Sequence, residues 1–206
     1  NFTDRTMRFD FMMAGNSETT KVYPVSIREE PFWGGSLTNL TDPFGYGNFT
    51  YEIFDAATGN LIYSRGFCTL YQEWQTTAEA KKMDRVFHEV ATFPFPKNKV
   101  NFVLNIRGRD GKFSKLYETA IDPSSYFITR EKPAAALATR VIGTGDPHTS
   151  LDIAFIAEGY TQGEMEKFRS DVKRMGEIII AEAPFDKYAD RINIWAVEAP
   201  SQESGT

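Results

Sequence analysis

Cysteine is nearly missing from this chain. Of 206 residues only Cys68 carries a thiol, which excludes an intrachain disulfide framework and leaves the redox compartment open. Its setting, Gly66-Phe67-Cys68-Thr69-Leu70, predicts a packed side chain. Long hydrophobic runs are missing too: no stretch approaches the ~18 to 20 apolar residues of a membrane-spanning helix. Basic runs are equally scarce. With 23 Lys and Arg against 28 Asp and Glu, a net charge of -5 and a pI near 5.2, the chain has no stripe that could neutralise a row of phosphates, which argues against nucleic acid as a partner. The first residue is Asn1 and not methionine, so an amino terminus either processed or cut for expression is expected.

What is present suffices for a packed core. Hydrophobic residues make up 41% of the chain and aromatic residues 14%, enough for one large domain or two small ones. The first half is rich in period-two segments. In Met7-Arg8-Phe9-Asp10-Phe11 the apolar residues share one face of a strand. Phe49, Tyr51 and Ile53 alternate with Thr50 and Glu52, the Asp55 to Asn60 stretch supplies turn chemistry, and Leu61 to Ser64 returns as a strand. Val100, Phe102, Leu104 and Ile106 form a further apolar face before the Gly108-Arg109-Asp110-Gly111 bend and a strand from Phe113 to Thr119. With strands near Val22 to Ile27 and Arg85 to Phe93, about six or seven short strands result, which favours an antiparallel β-sandwich of immunoglobulin-like type over residues 1–128. A small barrel is the alternative.

Two stretches interrupt this pattern. Glu30 to Asn48 reads as a loop because of its glycines and prolines, and it carries Phe32, Trp33, Phe44 and Tyr46. Those rings either form an exposed aromatic patch or cap one end of the sandwich core. Thr76 to Lys82 reads as a short helical or mobile insertion. Residues 129–150 read as a linker, with Pro133, an alanine run and the turn formers Gly143 to His148. Gly143-Thr144-Gly145 precedes a strand and lacks a third glycine, so it does not make a nucleotide-binding loop.

Residues 151–206 change character. Leu151, Ile153, Phe155 and Ile156 make a nearly continuous apolar run, the pattern of a strand covered on both faces in a mainly parallel sheet. Thr161-Gln162-Gly163-Glu164 has the form of a capping box. The helix it opens carries Met165, Phe168, Val172, Met175 and Ile179 as one apolar stripe. Ile192 to Val197 is a second strand, so strand, crossover helix and strand predict a parallel βαβ unit. Parallel strands deliver their carboxyl ends to one edge, where open α/β sheets place their sites. Glu158, Gly159, Tyr160 and Thr161 should therefore meet Ser201, Glu203 and Ser204 on one rim. A lone sheet this small is marginal. The unit is expected to pack on the sandwich or pair with a second copy of the chain to hide the stripe around Phe168 and Val172.

Five stretches then carry a resemblance: Leu151 to Thr161, the helix with Phe168, Ala183-Pro184-Phe185, Arg191 to Trp195 and Ser201 to Gly205. In this order and spacing the chain resembles the IgA-peptidase-like family of secreted zinc metallopeptidases common in gut Bacteroidetes. The Phe93 to Lys97 and Arg107 to Asp110 stretches are similar to that family's amino-terminal β-sandwich domain. The resemblance implies that the βαβ unit opens a zincin-like catalytic domain, and that a zinc-binding H-E-x-x-H helix lies downstream of Ser201 to Gly205. The only histidines here are His88 and His148, and His88-Glu89-Val90-Ala91-Thr92 has threonine where the second ligand would stand. No metal ligand or cofactor is assigned in this chain, and zinc is expected in the full-length parent. The chain is expected to be a truncated, inactive amino-terminal portion of a secreted or cell-surface/periplasmic endopeptidase that cleaves a protein or peptide. The competing expectation is a binding or adhesion module that grips a glycan or host protein with the Phe32 to Tyr46 loop.

Overall fold

The computed structural model describes residues 1–130, 132 and 136–205. It separates into two compact units. The first comprises Asn1–Trp33 and Leu37–Lys132; the second comprises Gly34–Ser36 and the described residues from 136 onward.

The first unit is a sandwich of two four-stranded sheets. One sheet is built on β1 (Phe2–Gly15), which pairs antiparallel with β2 (Thr20–Glu30) and with β5 (Arg85–Pro96). The other has β3 (Phe49–Asp55) between β4 (Leu61–Phe67) and β6 (Val100–Arg107), with β7 (Phe113–Ile121) beyond β6. A two-residue strand, β8 (Ile128–Thr129), joins β2 in parallel. Alternation dictates what meets in the middle: Met7, Phe9, Phe11 and Met13 of β1 face Phe49, Tyr51 and Ile53 of β3 and Phe102 of β6, all buried. The Phe9 and Phe102 rings meet edge to face at 4.8 Å, an arrangement that adds to the burial of two large rings.

Several details depart from the expected layout. The helix α1 spans Leu70–Gln75, ahead of the Thr76 to Lys82 stretch, because the Thr69 hydroxyl caps the Gln72 N–H at 3.1 Å and Tyr71 and Trp74 lie buried one turn apart. Cys68 is exposed. Trp33 belongs to the core, edge-on to Tyr63 at 6.0 Å. The one buried carboxylate of β1, Asp10, is fully matched: it accepts from Arg8 at 2.8 Å, lies 3.1 Å from His88 Nε2 and takes a further bond from Ser26. An unmatched buried charge would be costly. The contact with Asp10 in turn raises the Arg8 pKa.

The second unit is a three-stranded sheet with one covering helix. β10 (Leu151–Ile156) lies parallel to β11 (Ile192–Glu198) in the register Leu151↔Ile192, and α2 (Met165–Ala181) connects them. The third strand, β9 (Leu137–Ile142), pairs antiparallel with β11. It falls in the stretch expected to be linker. The sheet is therefore mixed, and β10 forms its edge with Leu151 and Ile156 exposed, in place of a strand covered on both faces. The α2 stripe is Met165, Phe168, Val172 and Gly176 packed on Ile192, Ile194 and Ala196. Met175, expected in the stripe, is exposed, and the next residue takes its place. Phe168 and Val172 are thus hidden within the unit itself. At the opposite end from the rim, buried Asn193 accepts from the Gly145 N–H and donates to Asp152, which also accepts from Trp195 Nε1.

Gly176 sets how closely α2 approaches the sheet: a Cβ there would lie 2.9 Å from Ile142 Cδ1 and 3.1 Å from Ile194 Cγ1. Alanine meets only the ends of these isoleucines, which can move. Gly176→Leu should cost about 1 to 3 kcal/mol by overpacking. Amide exchange in α2 should rise well above that of Gly176→Ala, and equal exchange in the two variants would show that the helix does not seat on this glycine.

Candidate functional site at the carboxyl ends of two parallel strands

Because β10 and β11 run parallel, the segments that leave them emerge at the same edge. After β10 the Ala157 N–H donates to the Val197 carbonyl at 3.0 Å, one last rung before the chains part. Gly159 then turns with φ 73°, a left-handed value that favours glycine. Thr161 starts the helical segment: the Glu164 carboxylate accepts from its backbone N–H at 2.9 Å and its hydroxyl at 2.8 Å. A short 3-10 turn, Gln162–Glu164, leads into α2.

The segment after β11 folds back over this turn. The Gly159 N–H donates to Ser201 Oγ at 2.9 Å, the Ser201 N–H donates to the Tyr160 carbonyl at 2.8 Å, and the Gly205 N–H donates to the Gly159 carbonyl at 2.8 Å. Ser204 Oγ completes the closure by donating to Glu164 at 2.8 Å. Glu158, Gly159, Tyr160 and Ser204 then line an open cavity of about 310 Å³ together with Glu164, Lys167 and Gly205.

The expected rim residues thus divide by role. Glu158, Gly159, Tyr160 and Ser204 reach the cavity; Thr161 and Ser201 hold its wall from behind; Glu203 is exposed and does not line it. Lys167 and its partner Asp171 were not anticipated at the rim. Lys167 bonds Asp171 at 2.9 Å and stands 4.9 Å over the Tyr160 ring, whose hydroxyl donates to Asp171 at 3.1 Å. In the sequence Lys167 reads as a solvated helix face; the signal was its spacing of four from Asp171, which lets the pair meet on one side of α2.

Electrostatically, Glu164 and Lys167 of the cavity are matched by their neighbours. The Thr161 N–H, the Ser204 hydroxyl and the Thr161 hydroxyl hold Glu164 below the usual glutamate range. Lys167 and Tyr160 lower Asp171, and Asp171 raises Lys167. Ser204 beside Glu164 is not an activated nucleophile, because a carboxylate with a depressed pKa is a poor base and no histidine stands between them. These residues can fix a loop and accept or donate hydrogen bonds to a ligand.

His88 lies in the first unit against Asp10, and in the second His148 Nδ1 lies 3.0 Å from the Gly35 carbonyl. Among the described residues no three His, Cys, Asp or Glu side chains group as a metal set. The aromatic loop is split. Trp33 is in the core, whereas Phe32, Phe44 and Tyr46 are exposed. Among the described residues no helix is long and apolar enough to cross a membrane.

Residues 1–118 match the family model described as Peptidase M64 N-terminus, and residues 139–206 match the one described as IgA Peptidase M64. No curated protein matches the chain. A solved structure of a polysaccharide deacetylase from Bacillus cereus is 14% identical, with 89% of this chain and 49% of that chain covered and a TM-score of 0.19. The chain spans about half the length of that structure, and the likeness is too low to bear on the fold.

The rim yields a pH-dependent prediction. A carboxylate whose folded-state pKa is lowered stabilises the fold above its ordinary value and loses that contribution as pH falls through the folded value. Protection of the Gly205 amide should therefore hold at neutral pH and fall below the usual glutamate range, and Glu164→Gln should flatten this dependence. Ser201→Ala should cost about 1 kcal/mol by leaving the Gly159 N–H without its acceptor. An unchanged protection profile in both variants would remove the closure as a real constraint.

Proposed function

The chain belongs to the IgA peptidase M64 family, and on that premise we propose that it is the amino-terminal portion of a secreted zinc-dependent endopeptidase. In this proposal the immunoglobulin-like sandwich is an accessory domain and the βαβ unit opens a zincin-like catalytic domain. The observation that carries the proposal is the match of one family model to the sandwich and of another to the α/β unit. The parent is a metallopeptidase-related protein; its substrate is proposed to be a protein or peptide, and its place the cell exterior, the cell surface or the periplasm.

Zinc is proposed to be held by residues outside these 206, because His88 and His148 make no H-E-x-x-H pair. Such a zinc would polarise a peptide carbonyl and activate a water. The contribution of this chain is positional. Its rim fixes the Glu158 to Thr161 turn against the Ser201 to Gly205 segment, which presents Glu158 and Tyr160 at the sheet edge.

The purified 206-residue chain, dialysed after exposure to zinc, should retain far less than one equivalent of metal and leave fluorogenic peptides intact. One tightly held zinc per molecule, or peptide cleavage that a chelator abolishes, would overturn this assignment.

A further inference from the structure

Outside the rim, the loop that ends at β3 is held by several side chains. Asp42 anchors its start: its N–H donates to Ser64 Oγ at 2.9 Å, and its carboxylate accepts from the Phe44 N–H at 2.9 Å and the Gly66 N–H at 3.2 Å. Gly45 and Gly47 carry it round with φ of 61° and 89°. Gly66 of β4 lets it lie flat, since a Cβ there would stand 2.1 Å from the Tyr46 carbonyl oxygen.

Arg107, at the end of β6, then clasps the loop. Its Nε donates to the Gly47 carbonyl at 2.8 Å and its Nη2 to the Gly45 carbonyl. Nη1 reaches across to the Gly111 carbonyl at 2.7 Å, and the guanidinium lies 4.1 Å over the Phe113 ring. One side chain thereby joins the aromatic loop to the Gly108 to Lys112 turn, whose Arg109, Asp110 and Lys112 are exposed.

This anchoring holds two rings in water. Phe44 and Tyr46 are 69% and 74% exposed, nearly parallel at 13°, with centroids 5.5 Å apart. Exposed apolar surface on a rigid support marks an interaction site. Two rings fall far short of the roughly 800 Å² per partner of a stable protein interface, and the net charge of -5 disfavours a polyanion. A sugar ring fits both constraints: it offers a flat C–H face to the electron-rich face of an aromatic ring, and its hydroxyl edge can reach the polar side chains of the neighbouring turn. We propose that Phe44 and Tyr46 form a stacking platform for an oligosaccharide, with the Gly108 to Lys112 turn supplying polar contacts and Arg107 fixing the geometry. The site lies in the first unit and does not depend on the peptidase assignment.

The test is titration of the 206-residue chain with cellotetraose, chitotetraose and a β-galactoside tetrasaccharide, followed by calorimetry and by amide shifts. At least one should bind saturably with shifts at residues 44–47 and 108–112. Tyr46→Ala and Phe44→Ala should each weaken it roughly ten-fold, the loss expected for a contact residue at the centre of a site, with thermal unfolding unchanged because both rings are exposed. Arg107→Lys keeps the charge but loses the fork and should weaken binding without abolishing it. Saturable binding that survives the Phe44→Ala/Tyr46→Ala double variant, shifts confined to another face, or no binding by any of the three sugars would each overturn the proposal. Tyr46-dependent binding of a protein partner in place of the sugars would do the same.

Discussion

The parallel pairing of β10 with β11 is the constraint from which the second unit follows. Parallel neighbours cannot be joined by a tight turn, so a long crossover must run over one face of the sheet, and α2 is that crossover. Its apolar stripe covers Ile192, Ile194 and Ala196, which makes β11 the most deeply buried strand of the second unit. The same pairing sends the Glu158 to Thr161 turn and the Ser201 to Gly205 segment off one edge, where three hydrogen bonds close between them and a fourth runs from Ser204 to Glu164. An antiparallel pair would have placed these segments at opposite ends.

Legibility followed the strength of each local pattern. Strands of the sandwich could be read because one face is buried and the other wet, so Phe9 and Phe11 or Phe49, Tyr51 and Ile53 announce a period of two. β9 could not be read that way: Leu137 and Ala138 are exposed and the residues after them half-buried, so only its pairing with β11 makes it a strand. The Ala-Glu-Ala-Lys-Lys run after Thr77 has helix formers but no buried pair, whereas Leu70–Gln75 has the Thr69 cap and buried Tyr71 and Trp74. At the rim, Glu158, Gly159, Tyr160 and Ser204 were legible from topology alone. Lys167 was not, because a lysine on a polar helix face carries no sign of the Tyr160 ring that turns toward it.

The charged groups separate structure from chemistry. Asp10 is buried and matched by Arg8, His88 and Ser26, which places the histidine of the His88-Glu89 pair among the polar contacts between β1 and β5. Glu164 is half-buried, and three donors converge on it. In both cases the carboxylate organises its surroundings, and the donors on Glu164 lower its basicity. Glu158 lines the same cavity as Glu164 and differs from it in lying exposed.

The edge strand makes the dependence on β11 explicit. β10 exposes Leu151 at one end and Ile156 at the other, so apolar burial alone would hold it weakly. What fixes it is its ladder to β11 and the Asp152 carboxylate, which accepts from Asn193 and Trp195 of that strand. Asn193 is fully buried, and a buried polar group with its partners in place specifies one register where apolar contact would tolerate several. A slip of one residue would break both bonds and move Ala157 off the Val197 carbonyl. The rim therefore inherits its geometry from a polar lock at the far end of the same two strands, and the position of Glu158 and Tyr160 is set by Asp152 as much as by the turn in which they stand.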